Sequence, residues 1–211
     1  MVKALGDNCI GFVSDLIIVV ELAIKGPDGK TDKDRDGVIV GDSDDDAPEV
    51  ISMSFGGEID VPEFHDMLKT AYGYGIVLVT AAGNEGASSP SYPAAYSEVI
   101  AVGAIDKYGN MLSWSNRNPE VAAPGVSILS THPDDTYETL QGTSMACPYV
   151  SATVALIQAA VLAKNGTVLP PETVRQILHD TAIDLGAPSY DELYRYGVVS
   201  AYAAVKRALS S

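Results

Sequence analysis

The sequence is short of cysteine, histidine and basic residues, and each shortage narrows what the chain can do. Its 211 residues hold two cysteines, Cys9 and Cys147, far apart and outside any C-x-x-C or Cys/His spacing. Two thiols make neither a disulfide framework nor a zinc site, and they leave the redox compartment open. Thirteen Lys and Arg stand against 28 Asp and Glu, a net charge of −15. Nucleic-acid binding needs clustered positive charge against phosphates, so no nucleic-acid partner is expected. The longest apolar runs are Leu16–Val20, Ile76–Val79 and Ala159–Ala163. None approaches the ~20 residues that span a bilayer, so no membrane partner is expected. The start, Met1-Val2-Lys3-Ala4-Leu5, lacks the basic and apolar stretches of a signal peptide.

What is present suits one globular domain over residues 1–211. Apolar content is 46%, enough for a sizeable core. Ser14–Lys25 has apolar residues at helical spacing, with Ser14 as expected N-cap. Residues 26–49 are rich in Asp and Gly and form a loop inserted before the strand at Val50–Ser54. Pro62–Tyr74 is helical with Pro62 in its first turn. Ile76–Ala82, Val99–Ile105 and Val126–Ser130 are strands. Ser144–Ala163 carries no charge and is expected to be a central core helix. Pro171–Thr181 and Ser200–Leu209 are amphipathic helices. Alternating strands and helices imply an α/β fold with a mainly parallel sheet flanked by helices on both faces.

Two segments carry chemistry. Gly142-Thr143-Ser144-Met145-Ala146 delivers a serine to the start of the apolar helix. Helix N–H groups and the positive end of the dipole favour negative charge developing there. The same serine would also serve as a plain N-cap, and the pentapeptide alone does not separate the two roles. Ala81-Ala82-Gly83-Asn84-Glu85-Gly86 places an asparagine at a strand end among glycines. Its amide can stabilise a tetrahedral oxyanion, or it can be an ordinary Gly-rich turn.

Taken together with Ile51-Ser52-Met53-Ser54-Phe55-Gly56-Gly57, Tyr92-Pro93-Ala94, Val99–Ala104, Val121-Ala122-Ala123-Pro124-Gly125 and the run to Pro148, these segments resemble the subtilisin family of serine proteases, in order and spacing. The resemblance implies that Ser144 is the nucleophile. It makes Asn84 the oxyanion donor, with the Ser144 backbone N–H as the second donor. Ser54, Phe55 and Gly56 would pair with substrate backbone as an added strand. Ala82 and Gly83 would line the S1 pocket, leaving room for a large apolar side chain and broad specificity. Pro124 and Gly125 would only shape a turn. The implied partner is a peptide or protein substrate, and members of the family are usually secreted.

The family's Asp and His are missing. Its triad runs Asp, His, Ser, with the His on the order of 150 residues before the Ser, and only 143 residues precede Ser144. No His-Gly-Thr-His or Asp-Thr-Gly segment occurs, so the N-terminal part of the fold is expected upstream of Met1 or on another chain. The lone chain is then expected to be inactive, because a serine without a base is a poor nucleophile. His65, His132 and His179 match no catalytic position. After the nucleophile, Cys147 and Tyr149 stand where the family usually has Thr and His.

Seven carboxylates fall between Asp32 and Asp46. Asp32-x-Asp34-x-Asp36-Gly37-Val38 is the first half of an EF-hand-like loop, with the Val38 carbonyl as a ligand. The usual Glu at the twelfth position is replaced by Ser43. Asp42, Asp44, Asp45 and Asp46 would complete this site or build neighbouring ones. Structural Ca2+ is therefore the expected cofactor, and the insertion resembles those of calcium-rich subtilisins from hyperthermophilic archaea. Two alternatives to a protease portion stand: a non-catalytic, calcium-stabilised peptide-binding pseudoprotease, and a gene remnant without a stable fold.

Overall fold

The computed structural model describes Leu5 and residues 11–26, 28–42, 44–187 and 191–210. Eleven elements follow in chain order among them. They are α1 (Val13–Lys25), β1 (Val50–Met53), α2 (Pro62–Gly73), β2 (Val77–Ala81), β3 (Val99–Ile105), β4 (Val121–Pro124), β5 (Ile128–His132), β6 (Thr136–Leu140), α3 (Thr143–Asn165), α4 (Pro171–Thr181) and α5 (Ala201–Ala208).

Strands β1 to β4 form a parallel sheet in sequential order. Val50 pairs with Val77, Leu78 with Val99 and Val102 with Val121. Alternation along the strands divides the core between two helical layers. Val77, Val79, Ile100 and Val102 pack on one face with Val150, Val154 and Ile157 of α3 and with α4 and α5. Leu78, Val99 and Met53 pack on the other with Leu16 and Val20 of α1 and Leu68 of α2. The result is the expected α/β architecture with helices on both faces. Strands β2 and β3 are buried along their whole length, as parallel strands covered on both sides must be. Among the described residues strand β1 stands at the edge of the sheet, and Ser52 on it is exposed.

Several expectations need correction. Ser14 is not a cap; Phe12 holds the N-cap position of α1 without a side-chain bond. The strand expected at Val126–Ser130 lies at Ile128–His132 and forms an exposed antiparallel hairpin with β6. Val121–Pro124, expected to end in a simple turn, is the fourth strand of the sheet. Helix α3 has 23 residues and a mean hydropathy of 1.7 over its most apolar window, so by length and composition it is long enough to cross a bilayer. Ser151 and Gln158 interrupt its apolar runs, which hid this from a run count. Half of that window is buried inside the fold. The acidic segment is docked on the core, since Val40 and Ala47 are buried in the cluster with Leu68 and Ile76.

Candidate active site

The site lies where β1, β2 and the start of α3 meet. Gly142, the N-cap of α3, has φ 151°, a region that side chains disfavour. Its N–H donates to Gly125 O at 2.8 Å. A Cβ at Gly125 would stand 2.8 Å from Gly142 O and 2.7 Å from the Ala104 Cβ. Gly125 therefore does more than shape a turn: its lack of a side chain allows the helix start to approach the sheet.

Helix α3 has no side-chain cap of its own, yet its first N–H groups need acceptors. Asn84 supplies one from across the site. Its Oδ1 accepts from Thr143 N at 2.9 Å and from Thr143 Oγ1 at 3.0 Å. Thr143 is fully buried, and its Oγ1 also accepts from Gly83 N at 3.2 Å. With Oδ1 fixed, the Asn84 carboxamide presents Nδ2 as its outward group. Asn84 is exposed and Ser144 half-buried. Sequence reasoning placed Thr143 in the motif but gave it no task; its task is to orient Asn84.

Ser144 and Ser54 are joined twice. Ser144 Oγ donates to Ser54 O at 3.2 Å, and Ser54 Oγ donates to Ser144 O at 2.9 Å. Behind them Cys147 is buried among Ser52, Met53 and Val79. Burial pushes its thiol pKa up, which fits a packing role for Cys147. Cys9 lies outside the described residues.

The loop after β2 is held by a residue that the sequence did not flag. Asn116 is fully buried. Its Oδ1 accepts from Glu85 N and Ala87 N, and its Nδ2 lies within 3.1 Å of Ala82 O, Glu85 Oε2 and Ser91 Oγ. Gly83 sits against it at φ 109°, where a Cβ would collide with Asn116 Nδ2. No local signal in Ser115-Asn116-Arg117 marks this brace, because all its partners are distant in sequence. Ala82 is buried and Gly83 half-buried. On the opposite side Ser54 and Gly56 are exposed and Phe55 half-buried, and Gly57 pairs with Tyr92 through two backbone bonds of 2.9 and 2.8 Å. The structure thus brings Ser144, Asn84, Ser54, Phe55, Gly56, Ala82 and Gly83 to one region. A cavity of about 420 Å³ adjoins it, lined by Val13, Leu16, Phe55, Phe64 and Tyr96 among others.

Each histidine pairs with a carboxylate elsewhere. His65 Nε2 lies 3.0 Å from Glu98 and its ring stacks on Tyr96. His132 pairs with Glu138 in the hairpin at 2.9 Å. His179 lies 2.7 Å from Glu120 and stacks on Tyr196.

In the acidic segment the carboxylates of Asp32, Asp34 and Asp36 gather within 4.8 Å of one another. Asp32 accepts from Arg35 N and Gly37 N, Asp34 from Asp36 N, and Asp36 from Val38 N. The Asp36 N–H lowers the pKa of Asp34, but desolvation and the charges of Asp36, Asp42 and Asp32 outweigh it and leave Asp34 above its ordinary value. Asp45 is 9% exposed; its Oδ1 accepts from Lys33 N, and its Oδ2 is buried with no partner among the described residues. Asp42 caps Asp44 N, and Asp46 pairs with Lys33 Nζ at 2.6 Å. Asp46 shares that lysine with Asp28, whose Oδ2 lies 3.7 Å from Lys33 Nζ, and Ser43 lies outside the described residues.

Comparison with known proteins places this geometry in a family. The model of the "Subtilase family" matches residues 15–197. Subtilisin DY of Bacillus licheniformis is 43% identical over 164 residues, covering 75% of this chain and 57% of that protein. The major intracellular serine protease of Bacillus subtilis is 48% identical over 118 residues, 53% of this chain and 37% of that protein. The minor extracellular protease Epr of the same species is 36% identical over 172 residues, 76% of this chain and 26% of that protein. The chain therefore spans little more than half the length of such relatives, or less, and their names include both intracellular and extracellular proteins. With the family model matching most of its residues, the chain belongs to the subtilase family.

Proposed function

We propose that this chain is the nucleophile-bearing portion of a subtilisin-like serine endopeptidase domain, with the triad Asp and His supplied by a segment or chain outside residues 1–211. The observation that carries the reading is the pinning of Asn84 Oδ1 by Thr143, one residue before Ser144. Ser144 Oγ attacks the substrate carbonyl and yields its proton to the supplied base. The oxyanion is met by Asn84 Nδ2 and the Ser144 N–H. Substrate backbone lies along Ser54, Phe55 and Gly56, Ala82 and Gly83 wall the pocket for a large apolar side chain, and a second apolar side chain fits the cavity beside Phe55.

The supplied segment has a surface to meet. Among the described residues β1 is the outermost strand of the sheet, and an outermost strand can accept another beside it. Beside it, α3 turns outward an uncharged face of Tyr149, Ala152, Ala155, Leu156 and Ala159, all exposed; small residues of this kind permit close helix approach. The two surfaces are contiguous, since Ser151 of α3 bonds Ser52 of β1 at 2.7 Å.

The acidic insertion at 26–49 is proposed to hold structural Ca2+, as in calcium-rich subtilisins of hyperthermophilic archaea. Asp32, Asp34 and Asp36 with the Val38 carbonyl form one site, and Asp45 Oδ2, buried without a partner among the described residues, favours another with Asp42 and Asp44. When bound, the ion neutralises the loop and couples its order to folding.

The test is labelling by a fluorophosphonate probe, with and without the Asp- and His-bearing N-terminal fragment of a subtilase. Ser144 is labelled only in the mixture, and Ser144→Ala abolishes the signal. Labelling at another residue, or none in the mixture, overturns the reading. A second reading, a calcium-stabilised pseudoprotease that only holds peptides, is favoured by one observation: Ser144 Oγ donates to Ser54 O rather than to a base. It predicts peptide binding that survives Ser144→Ala, with no turnover in any mixture.

A further inference from the structure

We propose that Asn165 is an acceptor for N-linked glycosylation. Asn165-Gly166-Thr167 has the Asn-x-Thr pattern, with x other than Pro, that oligosaccharide transfer requires. Of the asparagines in the chain, Asn165 alone begins such a triplet.

The structure adds three observations to the motif. The first is that Asn165 is free where the other described asparagines are occupied. Asn84 binds Thr143, Asn110 binds Asp106, Asn116 braces the loop after β2, and Asn118 binds Ser88 O. The Asn165 carboxamide has no hydrogen-bond partner among the described residues.

The second concerns the turn. Asn165 is the last residue of α3, and the helix is closed by Gly166 in the left-handed conformation, φ 73°, whose N–H donates to Leu162 O. This cap serves the helix end through backbone alone and leaves the Asn165 side chain outside. Residues Asn165, Gly166 and Thr167 are all exposed, and a Cβ placed on Gly166 would meet nothing within 4 Å. Among the described residues the Thr167 hydroxyl makes only a long contact, 3.5 Å to Val168 O.

The third is position. Ser144 begins α3 and Asn165 ends it, so the two lie roughly 30 Å apart at 1.5 Å per residue. A bulky glycan at Asn165 stands at the pole opposite the candidate active site and displaces no core residue.

The transfer is redox-neutral. Asn165 Nδ2 loses a proton and bonds to the anomeric carbon of the sugar. The bond from that carbon to the phosphate oxygen of a lipid-linked oligosaccharide breaks, and the phosphate leaves with the electron pair. The donor belongs to an export compartment, so the proposal commits the chain to export. It does not depend on the catalytic reading.

The experiment is mass spectrometry of the tryptic peptide Asn165–Arg175 from protein isolated from its native source. The expected result is a series of sugar masses on Asn165, abolished by Thr167→Ala and kept in part by Thr167→Ser. An unmodified peptide, or one bearing only the small mass gain of deamidation at Asn165-Gly166, overturns the proposal.

Discussion

Ser54 Oγ donates to the carbonyl oxygen of Ser144 at 2.9 Å, replacing a donor that Pro148 lacks. Residue 148, four positions on, would normally give its N–H to that carbonyl. A proline early in α3 thus frees an acceptor beside the candidate nucleophile, and a side chain from the end of β1 occupies it. Ser54→Ala is expected to lower stability by about 1 kcal/mol, measured by urea unfolding, and to slow probe labelling of Ser144 in the completed enzyme. Unchanged labelling would show that the contact does not position the serine.

Thr143 orients Asn84 through two bonds and Gly83 through a third. Asn84→Ala should reduce turnover of the completed enzyme by about 10²–10³, seen in kcat. Thr143→Val, which keeps the shape but removes the hydroxyl, should lose part of that factor with KM little changed. A loss confined to KM would assign both residues to substrate binding instead.

Glu120 anchors α4 to the sheet by accepting from Arg175 at 2.6 and 2.5 Å and facing His179. Burial raises its pKa, but His179 and Arg175 outweigh burial and hold it below its ordinary value. A carboxylate lowered in the folded state stabilises above its unfolded pKa, and that contribution disappears as pH falls through the folded pKa. Acid unfolding below the usual carboxylate range should therefore be steep in the native chain and shallower in Glu120→Gln. Arg175→Ala, which strands the buried charge, should cost on the order of 3 kcal/mol. An unaltered acid limb in Glu120→Gln would remove Glu120 from the account.

Calcium at 100 times its dissociation constant should stabilise the chain by about 3 kcal/mol, read as a rise in Tm reversed by chelator. Asp34→Asn and Asp45→Asn should each reduce the rise. A Tm indifferent to calcium in the native chain would make the acidic segment a solvated loop.

Ala155→Arg on the outward face of α3 should prevent labelling of Ser144 in the fragment mixture while leaving the circular dichroism of the chain unchanged. Labelling that persists would place the docking surface elsewhere.

The sequence by itself determined the parts governed by local pattern. The seven-residue β3 and the eleven-residue α4 follow from apolar runs and periodicity read over one or two turns of chain. The Gly142–Ala146 and Ala81–Gly86 segments were legible because small residues at fixed spacing are needed wherever backbones approach closely. Tertiary structure decided what depends on distant partners. Val121–Ala123, given no element by local pattern, became part of a sheet strand because β3 offered it an open edge. Asn116 became the brace of the loop after β2 because burial left its amide no water to bind. Ser54 acquired its bond to Ser144 because folding brought the end of β1 to a carbonyl that Pro148 had left free. Pairings between groups 25 to 90 residues apart leave no periodic trace in a chain, since either partner alone is an ordinary polar residue.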